Sequence, residues 1–544
     1  MKCTRRLVLV RLVAVASVTC LAKFVYDMHV TNVSTRKIRQ QATFTIVKSR
    51  IVQSNSLSRT QPTTTSLTQP SAISRTQLSA ISRTQPSATW RSPTKLLVTA
   101  TTTGPPHVTR YSKPQHVKTY NGVWQEVNDR VGVYLFSAFY DNRPGIEWPV
   151  IRTIAVSRNS DTGRLLCLLW FPKMTRPVVA EANTAAVGAG FVVVDHGVYH
   201  AVILSCAVHT DAGRPPPIPE HVSIVKVSQA AVTTLLRVQV PERPERPIAF
   251  GHCMSVAYWN QDPYRIVEWM ELHRMWGVAE VTIYNSSLHA DAARVYQHYA
   301  SKGFVDFRQA PNAFNTPPDN EDVILLNMSP VLNDCMYRNM YRYRRLVVTD
   351  IDEMIVPRMH DNYTAMLDAI ETAYEAAYVK PKTPIGKTTR PTVHGQRSAL
   401  TEPLNVAWPA SYMFNNVYFF KDFNVTGQAP GFLTTQQYLR HIPPSELGYS
   451  VKQIYNPRAC VGIQNHYCWV LFDKNTPLYL DVPQNVGMNQ HYKKCHFDAY
   501  LNKPGTCKTL MKNSGVDLTM TRFRRELESR VRVVLKELDL NKFM

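Results

Sequence analysis

From Met28 to Gln125 the chain carries not one Asp or Glu, yet thirteen Lys and Arg fall in the same stretch. Ser, Thr, Gln, Pro and Arg dominate it, and an eight-residue repeat runs through it. Ser71–Leu78 reads SAISRTQL and Ser79–Pro86 reads SAISRTQP, with fragments at Ser56–Pro62 and Ser66–Pro70. Such a composition buries too little apolar surface to offset the entropy of ordering. The segment is therefore expected to be disordered, and its Ser/Thr/Pro content suits O-glycosylation. Any fold must be built from the residues after Gln125, and at roughly 100–200 residues per domain they suffice for more than one unit.

The same segment explains the charge. Seventeen of the 22 net positive charges lie on the first 125 residues, so the remainder is only mildly basic. A nucleic-acid footprint belongs on a folded face, interleaved with aromatics. The excess lies instead on a stretch not expected to fold, which argues against nucleic acid as a partner.

Lys2, Arg5 and Arg6 precede an apolar run, Leu7–Ala22, interrupted by Arg11. Basic residues on the N-terminal side hold that end in the cytosol. A helix over this run spans ~24 Å, short for a bilayer but workable with snorkelling. A signal anchor of a type II membrane protein is the expectation. Cleavage near Cys20 and Ala22, giving a secreted protein, is the alternative. Eight of the ten cysteines lie beyond this region, an even number that fits an oxidising compartment without fixing the pairing. Sequons stand at Asn32, Asn285, Asn327, Asn362 and Asn424; all but Asn285, which closes an expected strand, are candidate glycosylation sites.

Glu126 to about Pro247 reads as strands: Val131–Phe139, Leu165–Phe171, Phe191–Val194, Tyr199–Val208 and Val222–Val227 are apolar and β-branched between Gly, Pro and Asn/Asp breaks. The pattern then alternates. Strands are expected at Phe250–Val256, Val281–Asn285, Val305–Arg308 and Leu346–Asp350, with helices at Pro263–Met275, Asp291–Ala300 and Asn333–Tyr343. Alternation of this kind implies βαβ units and a mainly parallel sheet, whose ligands bind beyond the carboxyl ends of the strands. Asp517–Leu540 carries apolar residues at helical spacing and predicts a C-terminal amphipathic helix.

The strand ending at Asp350 runs into Ile351-Asp352-Glu353. Residues two apart on a strand share a face, so Asp350 and Asp352 would present paired carboxylates. Paired like charges favour a cation, and Mg²⁺ or Mn²⁺ takes such oxygens while keeping waters and substrate phosphates. Lys452 and Arg458, flanking Gln453–Pro457, are candidate cations for a diphosphate or an acceptor. Glu271 is expected to pair with Arg274 one helical turn on.

Five blocks resemble glycosyltransferase family 92. They are VYLFSAFYDNRP (Val133–Pro144), VEWMELHRMWGVAEVTIYN (Val267–Asn285), NDCMYRNMYRYRRLVVTDIDEMIVPR (Asn333–Arg358), SVKQIYNPRACVGIQNHYC (Ser450–Cys468) and MNQHYKKC (Met488–Cys495). The resemblance implies an α/β fold with a GT-A-type nucleotide-sugar-binding domain and a metal-dependent, inverting hexosyl transfer. Galactose from UDP-galactose would go to a glycan on a glycoprotein, in the Golgi with the head luminal. It makes Asp350 and Asp352 the family's D-x-D, with Asp352 the direct ligand of Mn²⁺ (or Mg²⁺) and Asp350 nearer the donor ribose. His466 or His491 would be a third ligand, and Lys452 would join the donor site. Met354 stands where the family more often has Phe, and Gln490-His491-Tyr492-Lys493 where it usually has Asn-His-Tyr-Arg. Inversion needs a general base, for which Glu353, Asp422 and Asp481 are candidates. The alternative is a non-catalytic carbohydrate-binding or scaffold protein with the same fold. The expected organisation is a cytoplasmic tail (1–6), an anchor (7–26), a stem (27–125), a β-rich subdomain (126–248), a catalytic domain (249–515) and a C-terminal helix (516–544).

Overall fold

The computed structural model of the chain describes residues 111–540 apart from 116, 118–121, 128–131, 159–163, 189–191, 195–196, 210–216, 228, 230, 312, 315–320, 380–407, 424–429 and 501–503. The expected anchor and the stem as far as residue 110, with Asn32, lie outside the described residues, as does Asn424; the expected end of the stem at 125 is corrected, since Tyr111 is buried, Trp124 packs on Phe136 at 4.9 Å and Gln125 pairs in a strand of the first sheet. Among the described residues no helix is long and apolar enough to cross a membrane.

The fold is mixed α/β. Residues 125–239 form a ten-stranded sheet, in which the long strands Val133–Asp141, Val150–Arg158 and Gly197–Ala207 lie side by side and antiparallel. The expected strands of this region are present. Val150–Arg158 was not expected, because its apolar residues are split by Arg152, Thr153 and Ser157. Their polar atoms are sheltered by the sheet itself: Thr153 and Ser157 are buried, and Arg152 pairs with Asp141 at 3.0 Å.

A second sheet of seven strands holds β1 (Ile248–Trp259), β2 (Val278–Leu288), β3 (Val305–Gln309), β4 (Tyr343–Val348), β6 (Ser411–Phe414), β8 (Lys452–Tyr455) and β9 (Leu480–Asp481), in the order β3-β2-β1-β4-β8-β6-β9. The first four run parallel, joined through α1 (Pro263–Met275), α2 (Ala290–Ser301) and α3 (Glu321–Asn339). β8 runs antiparallel to both its neighbours, so the sheet is mixed rather than uniformly parallel. α1 begins where a cap predicts: Asp262 accepts from the Tyr264 amide and Pro263 opens the first turn. A three-stranded sheet, β5 (Glu353–Pro357), β10 (Gly487–Lys493) and β7 (Asn416–Phe420), abuts the carboxyl end of β4. The expected C-terminal helix appears as α5 (Arg524–Glu537), packed through Leu527, Val531, Val534 and Leu535.

Two expectations shift. The helix placed at Asn333–Tyr343 starts at Glu321 and stops at Asn339, and Tyr343 already belongs to β4. α3 is buried on nearly every side because it is sandwiched between the two large sheets, and Asn327, Asn333, Asp334 and Asn339 are buried with its apolar residues, which hides the helical period. Its Val331, Leu332, Cys335, Met336 and Tyr337 share one core with Phe136, Phe139, Ile154 and Ile203 of the first sheet and Cys253, Val256 and Val348 of the second. The strand expected to reach Asp350 ends at Val348, so both aspartates lie on a turn.

Polar contacts and disulfides complete the frame. Arg143, buried and paired with Asp141 at 2.7 Å, donates to the carbonyls of Arg458 and Cys460, joining the first sheet to the second half. All eight cysteines beyond the N-terminal run are paired: Cys167–Cys206, Cys253–Cys335, Cys460–Cys468 and Cys495–Cys507. Cys253–Cys335 ties β1 to α3 across 82 residues. A loop of that length is worth about 4 kcal/mol in chain entropy. Replacing both cysteines by Ala is expected to lower the calorimetric Tm by several degrees; an unchanged Tm would show that the α3 packing alone holds the two elements.

Candidate active site

The turn after β4 is held by its backbone. Trp269 of α1 donates from its indole to the carbonyls of Asp350 (3.1 Å) and Glu353 (3.2 Å), and Arg265 donates to Ile351 O and Tyr492 O. The Asp352 carbonyl accepts from the Tyr492 amide at 2.8 Å, and the Glu353 amide closes back on Asp350 O at 3.1 Å. Each carbonyl from Asp350 to Glu353 thus has a donor, which fixes the side chains that the turn presents.

Those side chains form a chain of alternating charge. The Lys452 ammonium, fully buried, reaches Asp350 Oδ2 at 2.7 Å, Glu353 Oε2 at 2.7 Å and Asn465 Oδ1 at 2.7 Å. Asp350 also accepts from Ser255 Oγ and from Asn465 Nδ2 at 3.0 Å. Glu353 Oε1 lies 3.1 Å from His491 Nδ1, an ion-pair distance without hydrogen-bond alignment, and His491 Nε2 lies 3.1 Å from Asp352 Oδ2. Burial opposes every charge here, and the partners outweigh it. Lys452 holds Asp350 well below the usual carboxylate range. His491 holds Asp352 down at about 2, and the two carboxylates beside His491 lift it to about 9.

The sequence candidates therefore separate. Asp350, Asp352, Glu353, Lys452 and His491 come together; Asp422 and Asp481 stand apart from them. Lys452 has its three N–H donors taken by three protein oxygens, so the expectation that it grips a diphosphate is corrected: it is the counterion of the carboxylates. Glu353 is 2% exposed with both oxygens engaged, and as a general base it is corrected likewise. Asp422 is exposed and accepts from the Cys495 amide at 2.7 Å, a loop-capping role. Asp481 is half-buried, takes no hydrogen bond or ion pair from the described residues, and is pushed up to about 6 by burial. Arg458 is exposed on the 457–459 turn. Glu271 lies 3.8 Å from Arg274 and accepts from Tyr299 Oη at 2.9 Å, a helix-packing contact. Of the sequons, Asn327 is fully buried in α3 and closed to a glycan, a correction. Asn362 is half-buried and caps α4 (Tyr363–Tyr374) through Ala365 N, and Asn285 bonds Gln309 and Leu288.

A metal can be tested against these residues. Among the described residues no three His, Cys, Asp or Glu side chains converge into a cage. A hard divalent ion asks for less, since one or two carboxylate oxygens suffice when phosphates and water complete its shell. Asp352 fits: its side chain is 32% exposed, and only Oδ2 is engaged among the described residues. His491 offers no lone pair while it pairs with two carboxylates. His466 donates from Nδ1 to Val451 O at 2.7 Å, the tautomer that leaves Nε2 with its lone pair. Its pKa is lowered by burial and then by Lys452, so the ring is neutral. Sequence reasoning overlooked Ser255, Asn465 and Trp269. Two of them lie inside the family-like blocks, but their side chains carry no chemistry that a motif search seeks.

The family model described as Glycosyltransferase family 92 matches residues 248–539. No curated protein matches the sequence. Among solved structures, a crystal structure of S. aureus TarS 1–349 is similar at 8% identity over 54% of this chain and 74% of that one, with a TM-score of 0.21, a likeness that carries no argument.

If Lys452 is the counterion, Lys452→Met strands two carboxylates without their cation and is expected to cost about 3–5 kcal/mol in denaturant unfolding. A variant as stable as the parent that has lost donor affinity would return Lys452 to the substrate.

Proposed function

The chain belongs to glycosyltransferase family 92, and on that premise we propose that it is a metal-dependent, inverting hexosyltransferase with a GT-A-type catalytic domain. It transfers galactose from UDP-galactose to a glycan on a glycoprotein. Family membership implies a nucleotide-sugar donor and a glycan acceptor; the finer statements are proposals. The observation that supports a metal and donor site is the turn at the carboxyl end of β4, where Asp352 keeps one oxygen open beside a saturated Asp350. Four disulfides suit the oxidising lumen of the secretory pathway. We place the protein in the Golgi membrane as a type II protein, with secretion after cleavage as the alternative.

Asp352 is the carboxylate that would hold Mn²⁺ or Mg²⁺, with His466 the imidazole in the right tautomer to assist. When bound, the metal supplies Lewis-acid neutralisation of the departing diphosphate. Asp350, fixed by Ser255, Lys452 and Asn465, orients the donor. Asp481 is the general base. Val348, Gln453, Met413 and Asp481 stand in one row across β4, β8, β6 and β9. β9 and β4 run the same way, so Asp481, the last residue of β9, and Asp350, two residues past the end of β4, stand at one edge of the sheet. Three strand spacings, about 14 Å between backbones, separate them, leaving room for a sugar between the side chains. Asp481 takes the proton of the acceptor hydroxyl as that oxygen attacks the anomeric carbon opposite the diphosphate.

The full-length chain, assayed for nucleoside diphosphate release with UDP-galactose, a glycoprotein acceptor and Mn²⁺, is expected to turn over. Activity should disappear with EDTA and in Asp352→Ala. Metal-independent turnover would overturn the metal reading, and preference for another donor the choice of galactose.

A base raised to about 6 predicts that kcat/KM climbs with pH through about 6 and then levels. Asp481→Asn should lose about 10²–10⁴-fold in kcat. Because the folded pKa of Asp481 lies above its unfolded value, its contribution to stability is present at low pH and lost as pH rises through 6. The same variant should therefore show a higher Tm than the parent at pH 7. Retained kcat in Asp481→Asn would exclude it as the base.

A further inference from the structure

With Lys452 spent on carboxylates, the donor's diphosphate needs another cation, and the cations around the turn can be taken in order. His491 is held between Asp352 and Glu353. Arg265 donates to the carbonyls of Ile351 and Tyr492. Among the described residues two ammonium groups remain. Lys493 ends β10, two residues after His491 and so on the same face of the strand. Lys421 comes directly after the last residue of β7, and Phe420 of β7 is in register with Lys493. Two parallel strands thus end side by side, each delivering a lysine.

Neither lysine has a carboxylate within ion-pair distance among the described residues. The Lys493 ammonium lies 5.9 Å from the ring centroids of both Tyr418 and Phe497, a cation–π setting that holds the stem without neutralising the charge. Tyr418 also packs against His491 at 5.2 Å, so one aromatic wall lines both cations. Burial disfavours both ammonium charges, and Asp352 is among the groups that favour them, which puts both lysines in the field of the same carboxylate. The aromatic wall belongs to Lys493; Lys421 is exposed and is placed beside it by the paired strand ends.

We propose that Lys493 and Lys421 form the anion-holding pair that receives the donor diphosphate and stabilises it as it leaves. The inference rests on the reading of this turn as the donor site. As the acceptor oxygen bonds to the anomeric carbon, the bond from that carbon to the phosphate oxygen breaks and its electron pair stays on the diphosphate. The acceptor proton goes to Asp481, so no proton reaches the leaving group, and fixed cations add to what a bound metal would neutralise of its new charge.

The test is calorimetric titration of the full-length chain with inorganic pyrophosphate in metal-free buffer, and with uridine diphosphate in the presence of Mn²⁺. Lys493→Met is expected to weaken both by about 10–100-fold, as for loss of a charge-assisted contact. Lys421→Met should do so more mildly, and Lys493→Arg should restore affinity to within a few-fold. Thermal melting of each variant at the parent Tm shows that folding is intact. Parent-like binding by folded Lys493→Met overturns the proposal while leaving the donor reading standing. Absence of binding of either anion by the parent chain overturns the donor reading and the proposal with it.

Discussion

The Lys452 ammonium is the interaction on which the site depends. It is fully buried, and desolvating a charge to that degree is tolerable only where partners surround it. Its three acceptors come from the turn after β4, the start of β5 and the loop at Asn465, while Lys452 itself belongs to β8. From it the placement propagates outward: Glu353 is set by Lys452, His491 by Glu353, and Asp352 by His491. The most exposed carboxylate in the chain of contacts is therefore positioned by the most deeply buried cation. Trp269 and Arg265 clamp the backbone of the same turn from α1, so little reorganisation remains when a substrate arrives.

Much of this frame was legible in the sequence. The β-rich stretch, the alternation after Phe250, α1 with its Pro263 start and the C-terminal helix come from local periodicity and from a proline at a first turn. α3 was misplaced because a helix buried on both sides loses the amphipathic period that marks its ends. The aspartates were found by residue type; strand alternation led to the right neighbourhood by the wrong route, since a turn delivers them. Lys452 was recognised as charged and close to function. Its role was inverted because sequence spacing cannot show that three oxygens from distant segments saturate it. Asp481 could be named but not ranked, because its distinction is a lack of partners among the described residues, which only the folded arrangement displays.

Electrostatics divides the site into two tiers. Inside, Lys452, Asp350, Glu353 and His491 neutralise one another and hold still. At the rim, Asp352, Lys493 and Lys421 keep unmet valence, and charge that is unmet within the protein is available to a ligand. This division accounts for a turn rich in carboxylates that coexists with buried lysine, and for the absence of a ready-made metal cage among the described residues.

The core around α3 has a consequence for how such a chain diverges. The family match begins at residue 248, yet Phe136, Phe139, Ile154 and Ile203, all before that point, pack on the same helix side chains as Val348, two residues from Asp350. Among the described residues no disulfide crosses from the first sheet to the later half; the joint is apolar packing and the Arg143 contacts. Volume lost on one side of α3 must be made up on the other. A change of volume in the first sheet must therefore be matched on α3 or on the later strands that share its core. The unit that must pack together is thus larger than the segment in which the family is recognised.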